Sequence, residues 1–222
     1  TILKIPQLLG AFTRNWVSHS GKSVELLLES FQKYSSIKDI NHSSSVIGNS
    51  FQISYILGQN FKTLSTFFKP YTLFLYKNQS KEPYYGCNYL YSFIQILEGI
   101  EPVFLDFDDN IISEDEYCEH LKNSEFKTGL YYYYISKMHL EYLFLKFEEA
   151  YQFHLLGKSL RIYGAGLLNS AHDIFISSLI LIRRLSSQPE QTDNRFTEEI
   201  EGYIKQLKIW AENNPFNFKH KY

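Results

Sequence analysis

Two short runs, Gly21-Lys22-Ser23 and Gly157-Lys158-Ser159, read like the end of a phosphate-binding loop. That chemistry needs another glycine five positions before the glycine of the run, so that backbone amides can cradle the phosphates. Those positions hold Trp16 and Gln152, and both runs are read as fortuitous. Asp106, Asp108 and Asn110 alternate as the first ligands of a calcium loop do. Such a loop needs a sharp-turning Gly at its sixth position and a bidentate Glu at its twelfth. Ile111 and Tyr117 stand there, so the segment reads as a solvated acidic linker.

The seven histidines are scattered, with no HExxH pair and no close Cys/His cluster. His154 falls on an apolar face and reads as a core or capped histidine. His172 precedes Asp173, but adjacent helical residues point to different sides, which argues against acid–base work. Asn41-His42-Ser43 and Asn78-Gln79-Ser80 match glycosylation acceptors by chance in an Asn- and Ser-rich chain. The tyrosine run Tyr131–Tyr134 would need a basic groove to stack single-stranded bases, and it reads as core. Arg183 and Arg184 favour the negative end of an apolar helix. No catalytic set, metal site or cofactor is expected. One alternative stays open: an aromatic interior around Tyr131, Tyr134, Tyr151 and His154 that encloses an apolar small molecule.

The elements that must position these residues are helices. Leu130 to Leu145 is apolar or aromatic nearly all round, so a helix there must be covered on most sides. Phe147, Ala150, Tyr151, His154, Leu155 and Ile162 then recur at helical spacing on one face. Leu145-Lys146 is the predicted turn between the two, giving an αα-hairpin. Earlier in the chain, Val24, Leu27, Leu28, Phe31 and Tyr34 make one stripe. Asp39 or Asn41 is a candidate cap. Gly58 suits a left-handed helix end, and Pro70 should kink or split the helix it interrupts. Ser113 and Glu116 form a capping box. Gly99 ends one helix, Ser20-Gly21 breaks another, and Ser186 to Asp193 is the longest hydrophilic linker. No strand is expected. The reading is all-α: about ten helices in antiparallel hairpins of roughly 35 to 40 residues, stacked as an α-solenoid, with residues 1–222 one helical-repeat domain.

Composition agrees. Of 222 residues, 44% are hydrophobic and 17% aromatic, which suits stacked helices with large flat side chains between them. A net charge of −2 gives no global field for nucleic acid or an anionic membrane. Cys87 and Cys118 alone make no disulfide framework and fit a cytoplasmic protein. No run reaches the roughly 18 apolar residues that span a bilayer. The chain lacks an initiator Met and is expected to be a piece of something larger.

The chain also resembles a known arrangement. Trp210-Ala211-Glu212-Asn213, Pro215, Asn217-Phe218 and His220-Lys221-Tyr222 are similar to a "WAENCPENFLHKY" motif. Leu143-Phe144 and Phe147-Glu148-Glu149-Ala150 match "YLFG.YEEA", with Lys146 where a glycine is usual. Pro83 to Gly99 looks like the "Y…Q…LNLLG" helix, and Lys22 to Tyr34 like an early helix ending in "LL..Y". These motifs belong to the TPR-like helical segment of hybrid serine/threonine–histidine sensor kinases of cyanobacterial type. In these kinases the segment lies between a predicted ATPase and a GAF–histidine-kinase region. The resemblance implies a non-catalytic scaffold for protein or interdomain contacts in signal transduction. The kinase activity would lie in the parent, since no kinase motif is inside the chain.

Overall fold

The computed structural model describes residues 4–108, 110–187 and 194–222. The fold is all-α. In chain order it runs α1 (Lys4–Leu8), a π-helical turn (Leu9–Thr13), α2 (Arg14–Val17), α3 (Gly21–Ser36), α4 (Ile40–Ile56), α5 (Phe61–Lys77) and α6 (Lys81–Leu97). A two-residue ladder follows, β1 (Phe104–Leu105) with β2 (Ile111–Ile112). Then come α7 (Glu114–Asn123), α8 (Lys127–Leu143), α9 (Phe147–Ser159), a 3₁₀ turn (Arg161–Gly164), α10 (Asn169–Ser187), α11 (Asn194–Asn213), α12 (Pro215–Phe218) and a last 3₁₀ turn (Lys219–Lys221). Helices α3/α4, α5/α6, α8/α9 and α10/α11 pack as hairpins.

One joint is used repeatedly. Lys38, Gly58, Gln79 and Gly99 all have positive φ, and they recur every 20 or 21 residues. At each, the following amide bonds back six residues inclusive: Asp39 to Tyr34, Gln59 to Ser54, Ser80 to Leu75 and Ile100 to Gln95. Leu145 repeats the pattern, with Lys146 N–H on the Glu141 carbonyl at 2.9 Å. This is the bond by which a left-handed residue closes a helix end. At Lys38, Gln79 and Leu145 the joint turns the chain within three residues and at Gly58 within four, so successive helices run antiparallel there, whereas Gly99 opens the connection to the β-ladder. Between α8 and α9 the left-handed position is Leu145, within the expected Leu145-Lys146 turn.

Local capping follows the sequence. Asp39 accepts the His42 amide and Asn60 the Thr63 amide, and Ser113 with Glu116 forms the full capping box. The break expected at Ser20-Gly21 falls just before α3, whose first residue is Gly21. Two expectations are corrected. Pro70 does not split α5, which continues to Lys77. It sits on the exposed side, so the Thr66 carbonyl deprived of its partner faces water. The acidic connection contains a short antiparallel pair, Phe104 opposite Ile112 and Leu105 opposite Ile111. The described part of the Ser186–Asp193 linker, Ser186 and Ser187, completes α10, and 188–193 lie outside the described residues.

Helix α8 is buried on almost every side, as its composition demands. Tyr133 and Tyr134 join one apolar cluster with residues of α3 to α7, while Tyr131, Tyr132, Ile135 and Met138 join a second with α9 and α10. On α9 the inward residues are Ala150, His154 and Gly157. Leu155 (42% exposed) and Ile162 (75% exposed) face outward, against expectation. Gly157 faces α8, where an added Cβ would stand in ordinary van der Waals contact with Ile135 at 3.5 Å.

The chain's first and last helical segments meet. Trp16 stacks on Phe218 with centroids 5.3 Å apart and tilts against Trp210 at 5.2 Å. Asn214 and Asn217 both donate to the Asn15 and Ser18 carbonyls. These contacts go beyond nearest-neighbour stacking of hairpins and close the molecule on itself.

Candidate functional site

Helix α4 carries a polar stripe: Asn41, Ser44, Ser45, Gly48, Asn49 and Gln52, spaced as one face of a helix. That stripe forms one wall of an open cleft of about 680 Å³. The start of α6 forms the opposite wall, from Ser80 to Pro83 and on to Gly86 and Cys87. Phe12, Phe126, Tyr132 and Tyr163 give aromatic surface, and Thr128 and Leu167 complete that side. The glycines make the room. A Cβ on Gly48 would stand 3.3 Å from Cys87 Sγ, and one on Gly86 3.4 Å from the Phe126 ring.

Part of the polar lining is already engaged. Ser44 donates to Ser80 Oγ at 2.9 Å, and Gln7 donates to Ser45 at 3.2 Å. Asn169 of α10 donates to Gln52 Oε1 at 3.0 Å, which fixes that amide from below. Asn49 Nδ2 returns to the Ser45 carbonyl, and its Oδ1 is left for a ligand. Charge is sparse: Lys81 and Glu82 sit at the rim and offset one another. Burial pushes the Cys87 thiol up to about 12, so at neutral pH it is a small apolar contact, not a thiolate. Amides, hydroxyls and flat aromatic faces suit an uncharged polar ligand with hydrogen-bonding groups along its length, such as a polypeptide main chain.

The four residues singled out in sequence lie elsewhere. None of Tyr131, Tyr134, Tyr151 and His154 lines this cleft. Three of them gather around a buried polar network that the sequence did not reveal. Arg161 grips Asp173 with two parallel bonds, Nε to Oδ2 at 2.7 Å and Nη2 to Oδ1 at 3.0 Å. Tyr131 donates to Asp173 Oδ2 at 3.0 Å. Ser177 sits 2.9 Å from Asp173 Oδ1 and 2.9 Å from His154 Nδ1. Tyr151 stacks on the His154 ring at 5.9 Å. Tyr134 is on the other side of α8, against Phe153 and Tyr133.

The Ser177 hydroxyl donates to Asp173 Oδ1 and meets His154 at Nδ1, while His154 Nε2 faces Glu199 at 3.6 Å. Burial, helped by the Arg161 charge, pushes His154 down to about 4, so it is neutral. Burial would raise Glu199, but hydrogen bonds from Lys158 and Tyr203 outweigh it and hold the carboxyl below its usual range. A serine between an aspartate and a histidine invites a catalytic reading. Here the hydroxyl is 0% exposed and hydrogen-bonded on every side, so the network acts as a clamp between α8, α9 and α10.

Other expectations resolve simply. Asp106 uses both carboxylate oxygens on the Asp108 and Asn110 amides and the Asn110 side chain, which makes it the keystone of a turn. His172 faces His139 at 3.2 Å, away from Asp173. Arg184 reaches Glu148 at 2.5 Å and lies over the Tyr151 ring, so it ties α10 to α9 and is no free cap. Among the described residues no group of His, Cys, Asp and Glu is arranged to hold a metal, and no helix is long and apolar enough to cross a membrane. Comparison of the chain with protein-family models, curated proteins and solved structures returned no match.

Proposed function

We propose that this chain is a non-catalytic helical-repeat scaffold that holds a protein partner or a neighbouring domain in a cytoplasmic signal-transduction kinase. The cleft on α4 carries the reading. It is built on rigid helices, is polar without net charge, and offers spare amide and hydroxyl groups beside aromatic faces. Asn41 and Asn49 lie eight residues apart on α4, about 12 Å along its axis. An extended segment of about four residues spans the same distance. The signalling context rests on the motifs described above, above all Trp210 to Tyr222. The same segment also has a structural task, since Trp210, Asn217 and Phe218 close the fold onto Trp16 and Asn15.

The test is to display random peptides to the 222-residue chain and to its Asn49→Tyr variant. Asn49 is half-buried on the cleft wall, so the larger ring fills the cleft without disturbing the core. Peptides that bind the wild type and lose at least about ten-fold in affinity to the variant support the reading. Peptides that bind both equally, or none at all, overturn it.

A second reading has its own support. The cleft volume lies within the usual range for small-molecule sites, so a sensor domain would use this cleft and not the Tyr131–His154 region. Small molecules that raise the melting temperature of the wild type and not of Asn49→Tyr would favour it.

A further inference from the structure

From Ile40 to Lys81 the chain has no aspartate or glutamate, yet it has lysines at 62, 69, 77 and 81. From Glu98 to Glu119 the pattern inverts. Carboxylates stand at 98, 101, 106, 108, 109, 114, 115, 116 and 119, with no lysine or arginine. The fold places these blocks on different elements. The lysines are exposed along α5 and at the start of α6, and the carboxylates, apart from 109 outside the described residues, run from the end of α6 through the β-hairpin segment to α7.

Each block also exposes apolar surface. On α5, Phe67 (43% exposed) and Leu73 (50% exposed) stand among the lysines, beside a shallow cup formed with Pro70 and Tyr71. On the acidic segment Ile100, Val103 and Ile111 are exposed, the last by 77%. Lys62, Lys69 and Lys77 join no ion pair among the described residues.

The chain's own hairpin cannot serve the whole of α5. Its Phe107 is fixed against Tyr76 and Tyr84, with Lys81 Nζ 5.6 Å from its ring centre. Lys62 lies fifteen residues before Lys77, about 22 Å away along the helix. The Lys62–Lys69 end therefore faces solvent with unmatched charge and exposed aromatic surface.

We propose that the α5 face of one copy docks on the acidic hairpin of a second copy. The partner's chemistry is set by complementarity: opposite charge at the rim, apolar side chains at the centre. The two patches differ, so the contact is heterologous. Each docked pair leaves one α5 face and one hairpin unused, and assembly proceeds head to tail instead of stopping at a two-fold dimer.

Sedimentation of the full 222-residue chain tests this. Its mass should rise with concentration at low salt, and the association should weaken roughly ten-fold on going to high salt as the charges are screened. The double variants Lys62→Gln/Lys69→Gln and Glu101→Gln/Asp108→Asn should each stay monomeric, with unchanged helix content. Mixed, they should form a 1:1 complex and nothing larger, because each supplies one intact surface. A wild type that stays monomeric at all concentrations in low salt overturns the proposal. So does association that neither double variant alters, or a lysine face that binds an acidic peptide and not a second copy.

Discussion

Asn217 holds the backbone of Ser20 from the opposite end of the sequence: its Oδ1 accepts the Ser20 amide at 3.0 Å. Its Nδ2 meanwhile donates to the Asn15 and Ser18 carbonyls at 2.7 and 2.8 Å. The side chain is 4% exposed, so removing it leaves the Ser20 amide without its partner, while Asn214 still donates to the Asn15 and Ser18 carbonyls. Asn217→Ala is expected to cost about 1–3 kcal/mol. Urea unfolding should show a lower midpoint with the slope unchanged.

The Arg161–Asp173 pair gives a sharper contrast. Asp173 is 1% exposed, and Asp173→Asn leaves a buried guanidinium without its counter-charge. The expected loss is about 3–5 kcal/mol. Replacing both partners, Arg161→Met with Asp173→Leu, should recover much of that loss, because neither charge then needs desolvation. Denaturant unfolding of the two singles and the double measures this coupling directly. A double variant no better than Asp173→Asn alone would show that Tyr131 and Ser177 depend on the carboxylate as much as Arg161 does.

Acid should weaken the fold through its buried histidines. Burial, with Lys221 nearby, pushes His139 down to about 4, and His154 reaches about 4 through burial beside Arg161. His172 is lowered in the same direction. Unfolded, these rings take a proton near 6.5. The folded state therefore binds fewer protons between those values. Its stability is complete above 6.5 and falls as pH drops toward 4, by up to about 3 kcal/mol per histidine. Glu199, held below its usual value, adds its own loss only below about 4.5. Unfolding at pH 7.5, 6.0 and 5.0 should thus show a decline that a His139→Gln/His154→Gln variant flattens.

Leu145 is a left-handed leucine (φ 62°) that is 72% exposed. Glycine adopts that conformation without a Cβ clash, and little burial is lost. Leu145→Gly should stabilise the protein by about 0.5–1 kcal/mol after allowing for the greater freedom of glycine when unfolded. Equilibrium unfolding decides it. A destabilised variant would mean that the exposed leucine covers apolar neighbours more than its area suggests.

Helices were legible where apolar spacing was strong. Of the stripe Val24, Leu27, Leu28, Phe31 and Tyr34, the first two and Tyr34 are buried and Leu28 and Phe31 half-buried, α8 is enveloped, and the capping box at Ser113 forms. The joints at Gly58, Gly99 and Leu145-Lys146 were legible. Lys38, Gln79 and Leu145 take the left-handed position without being glycine, so the 20-residue rhythm stayed hidden. The ladder at Phe104 is too short to show an alternating pattern. Of Tyr131, Tyr134, Tyr151 and His154, picked out together as an aromatic interior, Tyr134 lies on the other side of α8, and Tyr131, Tyr151 and His154 lie around one network. What joins them, Arg161 and Asp173, comes from separate elements, and no spacing links such residues. The cleft was missed because its stripe on α4 consists of Ser, Asn and Gln. Those residues read as an ordinary solvated face until α6 and α8 are set against it.

The clasp between Asn15–Trp16 and Asn214–Phe218 also sets a timetable. These partners are about 200 residues apart in the chain. During synthesis, the hairpins from α3 to α10 can form as they emerge, each from nearby sequence. The segment around Trp16 must wait, its indole exposed, until residues 210–218 leave the ribosome. A chain halted before Trp210 would have most of its helices and an unsealed flank, and that species is the one most exposed to chaperones and proteases.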